Sequence, residues 1–544
     1  MKLYRWQHWL SQGGKQSYSH RYPELTARIL EGIEFGVPVD YVGGREKERF
    51  GPNLPILADH IPKVTAVIEK DVAAGKKAGP FSQKPFPRMC VSPIGAVPKR
   101  GSDNIRVIHH LSFPHHGDSV NAGIVDEYLP LSSFGHAARA VRALGRGCFL
   151  IKLDVEAAYK QVPVRREDWP LLGFKWQNKW YYERVLPFGL RSSCRLWELY
   201  AAALHFLCQH VLGKNGRRIV IHYVDDFLFV VQGAEGAQEL LLEALALCAD
   251  LGLPMAMDKT VGPTTQLIFL GIELDTLLLR ARLPDTRLHD LQRLMVDWGR
   301  KKRASVVELQ SLTGLLNFAC AVVRPGRFYL RRIINHTMRV AAIARSRTAL
   351  FPISAAVMAD IAWWQHFLAD WNGVSLLYEL DWIQSIRIEL FTDSCETGYG
   401  AAFGSEWFAG TWSPEELAVA QRRIRVSMPF LELRALVLAA ATWGDSWTGK
   451  KIIFRCDCRP VVQAISRCSS RVPQLMHQLR HLSTLACRFG FDFRCEHIVG
   501  ETNIAADALS RCGDCVQFRA ACPKAQLRPT PVALVPLPSL QLQE

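Results

Sequence analysis

The sequence has no uninterrupted apolar stretch approaching the roughly 18 residues that a membrane helix needs. Its most apolar run, Val220 to Val231, carries Asp225 and Asp226 in the middle, which excludes it as a span. The first residues, MKLYRWQHWLSQGGK, lack the apolar core of a secretory signal. The 15 cysteines are scattered and do not form the paired spacing of a small disulfide framework. They read as reduced thiols, and a cytoplasmic or nuclear setting is expected. There is no solenoid-type repeat. Acid is also short, with 51 Asp+Glu against 66 Lys+Arg and a formal charge of +15. That surplus suits a polyanionic partner, the alternative being a solvated basic surface. What is present is length and apolar content. The chain has 544 residues, 49% of them hydrophobic, enough for three or four domains with real cores.

Residues 1–50 are polar and mixed, with helical turns expected over Tyr22 to Ile33. Residues 51–100 are rich in Pro and Gly and read as irregular backbone, with a helix near Val64 to Ala74. A strand-like Ile105-Arg-Val-Ile follows. From Cys148 to Asp154 the pattern predicts a buried strand ending in a carboxylate, and Trp180 to Val185 a short alternating one. A helix is expected over Ser193 to Cys208, two β runs over Arg218 to His222 and Phe227 to Val231, a helix over Glu235 to Leu251 and a strand over Ile268 to Leu274. Strand, helix, hairpin, helix, strand is the order of a ferredoxin-like sheet. Residues 285–370 read as helices rich in Arg, Lys and Trp. Strands are then expected at Arg387 to Phe391, Tyr399 to Phe403 and Glu406 to Trp412, followed by a helix at Phe430 to Trp443 and a strand at Lys451 to Arg455. Two helices, a strand at Phe491 to Ile498 and a last helix near Ala505 to Leu509 complete this part. Past Cys515 the Pro, Leu and Gln content predicts a disordered tail or linker.

Tyr223-Val-Asp225-Asp226 places adjacent carboxylates on a tight hairpin between apolar β runs, a costly arrangement without a cation. Asp154 ends another strand of the same predicted sheet. Carboxylates so placed suit two divalent ions about 4 Å apart, of the hard, oxygen-liganded kind. A lone Asp-Asp is more simply a turn. The wider context differs: Leu153-Asp-Val-Glu-Ala-Ala-Tyr159, Leu186-Pro-Phe-Gly-Leu190 and Tyr223-Val-Asp-Asp226 occur in that order. Together they resemble the reverse transcriptase family. The resemblance implies an α+β multidomain right-hand polymerase with fingers, a ferredoxin-like palm and a helical thumb and connection. It implies Asp154, Asp225 and Asp226 as catalytic ligands of two Mg²⁺, or Mn²⁺ in its place. It implies that Tyr159 lies under the incoming sugar and excludes a ribose 2′-hydroxyl. Lys99 and Arg106 match residues that hold the triphosphate, as a point charge and a bidentate fork. Phe188 and Gly189 match the loop lining the nucleotide pocket, and Lys259 a proton donor to pyrophosphate. Phe269-Leu-Gly-Ile-Glu273 resembles the segment gripping the primer end. For Lys99, Lys259 and that last segment, a surface charge or a core strand is the alternative.

Four further acids recur at element ends: Asp393 in Phe391-Thr-Asp393-Ser, Glu432 in the first turn of a predicted helix, Asp457 after Ile-Ile-Phe-Arg-Cys, and Asp507 opening the last helix. Each alone reads as a cap or surface charge. Converging, they need cations and make a two-metal phosphodiesterase site. The ordered set resembles ribonuclease H over residues 386–511, and Asn503-Ile-Ala-Ala-Asp-Ala-Leu-Ser-Arg511 is especially similar to the retrotransposon version. This implies a ribonuclease H-like α/β domain with all four acids as catalytic metal ligands. His497 matches either the product-release His of many such enzymes or a strand-end aromatic.

The domain plan is therefore an extension at 1–50, fingers and palm at 51–275, thumb and connection at 276–384, the nuclease-like domain at 385–511 and a tail at 512–544. Glu-Asp-Trp-Pro-Leu-Leu-Gly-Phe-Lys-Trp, Leu-Pro-Phe-Gly-Leu-Arg-Ser-Ser and Phe-Leu-Glu-Leu-Arg-Ala-Leu look most like the DIRS-like, tyrosine-recombinase retrotransposons, with gypsy-like elements second. Asp-Thr/Ser-Gly protease, integrase zinc and recombinase motifs are not seen. The implied partners are an RNA template, a DNA primer, an RNA–DNA hybrid and deoxynucleoside triphosphates, with no membrane. The implied setting is a ribonucleoprotein or virus-like particle. Rival readings are a non-catalytic nucleic-acid binder, a polymerase with an inert nuclease domain, and a structural particle protein. Cys512-Gly-Asp-Cys515 with Cys522 lacks a fourth zinc ligand. His109-His110 and His115-His116 read as a polar or template-contacting loop rather than a metal site. The Arg-rich helices of 292–347 suit a duplex or a solvated face, and Trp363 and Trp364 a core.

Overall fold

The structure is a computed structural model and describes residues 1–46, 48–98, 105–114, 117–212, 217–370, 374–375, 382–422, 425–499, 503–533 and 535. Two compact units divide at Leu267 and Ile268.

The first unit is built on a four-stranded sheet in the order Val261–Thr264, Phe149–Asp154, Asp226–Val231, Arg218–Tyr223, with antiparallel pairing throughout. Its two central strands, Phe149–Asp154 and Asp226–Val231, are largely buried on both faces. Ile151, Leu153, Phe227 and Phe229 share one core with Trp197, Tyr200 and Leu204 of the helix Ser193–His210. The helix Phe134–Leu144 packs on the two hairpin strands. The closing strand departs from expectation. Val261–Thr264 completes this sheet, whereas Gln266–Phe269 and Ile272–Asp275 join a separate sheet with Arg280–Arg282 and Val374–Ser375. Pro263 is tolerated because Val261–Thr264 is an edge strand with one side free of ladder bonds.

The first fifty residues are part of this core. Helices Leu3–Ser11, Tyr18–Arg21 and Pro23–Glu34 place Trp6, Leu10, Tyr18 and Ile29 in it. Trp6 Nε1 donates to the Leu251 carbonyl at 3.1 Å and Trp9 Nε1 to Asp250 at 2.8 Å, so the extension caps the C-terminus of the helix Ala234–Leu251. A five-stranded sheet in the order Arg49–Phe50, Cys90–Val91, Gly173–Trp176, Lys179–Glu183, Lys77–Phe81 stands beside the hairpin Ile94–Pro98/Ile105–His109. Lys77 is buried there, 2.5 Å from Glu183 and 3.3 Å from Asp71, and Lys160 also meets Asp71 at 2.5 Å. Charges so buried persist only when paired.

The second unit opens on helices Asp285–Arg300, Val306–Ala319, Gly326–Ile343 and Ala355–Asp370, as the spacing predicts. Ser305 and Glu308 cap the second of them reciprocally. Trp364 is fully buried, and Trp363 stacks on Tyr329 at 3.7 Å. Asp360, also buried, accepts from Arg332 Nε and from Arg480 at 2.6 Å each, tying three helices together.

An antiparallel sheet follows, Leu390–Ser394, Gly398–Phe403 and Glu406–Thr411. A parallel set holds Trp382–Gln384, Lys451–Cys456 and Asp492–His497. The first antiparallel strand starts later than expected. Arg387 sits in the 3₁₀ turn Ser385–Ile388, and Glu389, at φ 53°, turns the chain into the strand. The helix Met428–Trp443 is buried nearly all round at the centre of this core, with helices Arg459–Ser466 and Pro473–Phe489 against it.

The tail is folded rather than disordered over its described part. It forms the helix Val516–Ala521, and Phe518 is fully buried 5.3 Å from the Trp407 ring. Gln526 N–H then donates to Ser405 O at 2.8 Å and Thr530 N–H to Trp407 O at 2.7 Å. Residues 536–544 lie outside the described residues. Phe518→Ala is expected to cost about 3 kcal/mol and to speed hydrogen exchange across Glu406–Thr411. Unchanged exchange there would show that the tail does not hold the strand. Among the described residues no helix is long and apolar enough to cross a membrane.

Candidate active sites

The hairpin Arg218–Tyr223/Asp226–Val231 turns through Val224 and Asp225, with Val224 at φ 56°. That backbone is strained for a β-branched residue, and two bonds hold it. Trp197 Nε1 donates to Val224 O at 2.8 Å, and Val155 N–H to Asp225 O at 3.0 Å. Asp226 is paired in register with Asp154 on the neighbouring strand, so three carboxylates meet at one end of the sheet. Burial raises the Asp225 carboxyl, and Asp154 and then Asp226 raise it further. Burial likewise raises Asp226, against the pull of Lys152 at 3.6 Å. Lys259 Nζ bridges both oxygens of Asp154 at 2.9 and 3.0 Å. One Asp226 oxygen is buried without a hydrogen-bond partner. Crowded, under-satisfied carboxylates of this kind fit a divalent cation.

Asp154 and Asp225 open on a cavity of about 880 Å³ that Arg106, Tyr159, Phe188 and Lys259 also line. The Tyr159 and Phe188 rings lie 5.3 Å apart, and the Arg106 guanidinium sits 5.0 Å over Phe188. Gly189 does not line the cavity. It has φ +112°, and a Cβ there would fall 2.0 Å from the His109 carbonyl oxygen. His109 N–H in turn donates to Phe188 O at 3.1 Å, which fixes the Phe188 ring's support. His109 is buried, and burial pushes it down to about 3, so it is a neutral core residue bonded to Gly173 O. Gly189→Ala is expected to cost at least about 2 kcal/mol, read as a lower unfolding temperature. An unchanged temperature would refute the close approach. Lys99, His115 and His116 lie outside the described residues.

The second cluster lies within the second unit. Asp393 lies one residue before the end of the strand Leu390–Ser394 and accepts from Ser510 Oγ at 2.7 Å. Burial, with Asp457 and Asp507 adding to it, lifts Asp393 to about 6. Glu432 sits at the start of the second turn of its helix, two residues further in than expected, because Met428 and Pro429 take the first positions. Burial, with Asp393 and Asp457 nearby, pushes it up to about 9. Asp457 follows its strand directly, and Asp507 lies in the first turn of the helix Ile504–Cys512, 2.7 Å from Arg511 Nε. Asn503 Nδ2 ties the start of that helix to Thr392 O at 2.8 Å. His497 Nε2 lies 3.0 Å from the Asp457 carbonyl oxygen. The four acids therefore converge, and the raised carboxyls of Asp393 and Glu432 suit cations. Among the described residues the one three-ligand group meeting metal spacing is Glu432, Cys456 and Asp457, so Cys512, Cys515 and Cys522 do not form one.

Residues 97–274 match the family described as reverse transcriptase (RNA-dependent DNA polymerase). Over that segment the chain is similar to the reverse transcriptases of retroelement and viral polyproteins. It is 24% identical over 381 residues, 68% of its length, to Polyprotein P3 of Commelina yellow mottle virus, and spans 18% of that protein. Over 180 residues, 33% of its length, it is 21% identical to the retrovirus-related Pol polyprotein from transposon opus of Drosophila melanogaster, and spans 17% of it. In fold it is similar to a foamy viral protease-reverse transcriptase in complex with double-stranded DNA, with TM-score 0.50 and 14% identity, covering 91% of this chain and 97% of that one. The same enzyme with an RNA/DNA hybrid gives TM-score 0.50 and 14% identity, at 90% and 62% coverage.

Several residues that support the two clusters or the fold around them carry little signal in the sequence. Lys152 lies two residues before Asp154 on the same strand face, and strand alternation alone points to it. Trp197 and Ser510 leave no local signal, since their partners are distant in sequence. Asp168, in the Glu-Asp-Trp-Pro stretch, is structural: it is fully buried and accepts from Val39 N–H at 2.9 Å and from Arg165 and Arg45.

Proposed function

We propose that this protein copies retroelement RNA into DNA and cleaves the RNA strand of the resulting hybrid. The observation that carries the first activity is the cavity at the sheet end, where carboxylates, an aromatic floor and two basic side chains face one another. Asp154, Asp225 and Asp226 would hold two Mg²⁺, or Mn²⁺ in its place. Bound there, such ions lower the pKa of the attacking hydroxyl and neutralise developing phosphate charge. The protein's own part is positioning and charge. Arg106, stacked on Phe188, offers a fork to the triphosphate, and Lys99 is assigned the same task. Tyr159 forms the floor under the sugar and blocks a 2′-hydroxyl. The primer 3′-oxygen attacks the α-phosphorus in line, and Lys259, beside Asp154, gives a proton to the departing pyrophosphate.

Asp393, Glu432, Asp457 and Asp507 would hold two further Mg²⁺ and hydrolyse RNA paired to DNA, recognised by A-form shape and 2′-hydroxyls. Ser510 orients Asp393. His497, touching the Asp457 main chain, is the candidate for product release. On this reading residues 51–275 are fingers and palm, 276–384 thumb and connection, and 385–511 a ribonuclease H-like domain. The partners are template, primer, hybrid and deoxynucleoside triphosphates, and the setting is a cytoplasmic or nuclear particle. The element is DIRS-like on the motifs quoted above. A neighbouring reading frame for a protein-cleaving or zinc-bearing integrase module, rather than a tyrosine recombinase, would reject that subtype.

The test is primer extension on an end-labelled RNA template with deoxynucleotides and Mg²⁺, so that extension and template cleavage are read in one tube. Both should stop with EDTA and resume with excess Mg²⁺. Folded protein that binds hybrid tightly yet does neither would overturn the reading in favour of a non-catalytic binder. Extension alone would reduce it to a polymerase.

A further inference from the structure

The second carboxylate cluster contains an atom that neither proposed reaction uses. Cys456 is the last residue of the strand Lys451–Cys456, immediately before Asp457. Its Sγ and one oxygen each of Glu432 and Asp457 all lie within 4.8 Å of one another. The Cys458 N–H points at that sulfur, donating at 3.4 Å. Glu432 is half-buried from solvent and cannot readily turn elsewhere, being held in a helix packed nearly all round.

Hard cations such as Mg²⁺ take oxygen ligands and gain little from sulfur. A thiol in their site is chemically idle. For Zn²⁺ the same three groups are a normal donor set, since thiolate and carboxylates together leave one of four tetrahedral positions for water. We infer that Glu432, Cys456 and Asp457 form a site for a thiophilic divalent cation of the Zn²⁺ type, which displaces Mg²⁺ from this cluster and stops hybrid cleavage. The sulfur–metal bond forms as the thiol proton leaves to water, so each ion bound releases one proton from Cys456 and no oxidant is involved. The metal site stands on the geometry alone. Its consequence for cleavage rests on the nuclease reading above.

Co²⁺ is the probe, because a cobalt–thiolate bond absorbs strongly in the near ultraviolet and a cobalt–carboxylate bond does not. The full chain titrated with Co²⁺ should develop this absorption, and Zn²⁺ should erase it. Cys456→Ser and Cys456→Ala should both lose it while keeping the wild-type unfolding transition without metal, and Cys458→Ser should keep it. In excess Mg²⁺, half-inhibition of hybrid cleavage should need at least about tenfold more Zn²⁺ for Cys456→Ser than for wild type. Absorption that is missing in the wild type, or that survives in both Cys456 variants, overturns the inference. Cys456-dependent absorption without Mg²⁺-driven cleavage would keep the cation site and remove the nuclease reading. Cleavage without such absorption would do the reverse.

Discussion

Asp225→Asn is expected to lower primer extension by at least about a thousandfold while template cleavage in the same tube continues at the wild-type rate. The substitution keeps the shape of the side chain and removes its charge. Asp225 sits at a turn that Trp197 and Val155 hold from two sides, so the amide inherits the position of the carboxylate. Its carboxyl is raised by burial first and by Asp154 and Asp226 after it, so without cations the charged form is a liability to the fold. The variant should therefore unfold no earlier than the wild type in EDTA. It should lose the added stability that Mg²⁺ gives, since binding only to the folded state raises stability. Wild-type extension by the variant would remove Asp225 from the site. Loss of both reactions together would mean that the two clusters do not act separately.

Glu432→Gln should abolish template cleavage, leave extension intact and change how stability depends on pH. Glu432 stands at about 9 in the folded chain, against an ordinary 4.5. Its folded-state pKa is raised, so its favourable protonation is complete below about 4.5 and is lost as pH climbs toward 9. Asp393 acts in the same direction over the narrower window from 3.8 to about 6. In EDTA the second unit of the wild type should thus melt at progressively lower temperature between pH 5 and pH 9. The Gln variant should lose most of that slope above pH 6, and Mg²⁺ should flatten it in the wild type by occupying the carboxylates. A metal-free melting temperature that is level from pH 6 to pH 9 in the wild type would show that Glu432 is not crowded as described.

Asp154, Asp225, Asp226, Asp393 and Asp457 were legible because they stand at the ends of apolar runs, where acid is out of place unless something compensates it. Adjacent acids within Tyr223-Val-Asp-Asp are a local pattern that needs no knowledge of pairing. The strand closing the central sheet was not legible. Val261-Gly-Pro-Thr has poor strand propensity beside Ile268 to Leu274, yet the edge position accepts its proline, and edge or centre is decided by pairing distant in the chain. The helix bearing Glu432 starts two residues earlier than its apolar spacing indicates, because helix starts are the least certain part of a periodic pattern. Scanned along the chain, Cys456 is one of fifteen scattered thiols. Only the parallel pairing of its strand and the packing of the helix Met428–Trp443 bring it to Glu432. The tail was misjudged on composition, which weighs Pro and Gln and overlooks one Phe518 with a pocket to fill.

That tail bears on any effort to isolate the nuclease-like part. Glu406–Thr411 is the outer strand of its sheet, and the carbonyls of Ser405 and Trp407 on that edge accept from the backbone of Gln526 and Thr530. A fragment ending near Cys512, where the resemblance to ribonuclease H runs out, would keep every acid of the second cluster and still present an open strand beside an uncovered Trp407. Such edges pair with copies of themselves. Insolubility of that fragment would then report on where the cut was made, and not on whether the fold around the four acids forms.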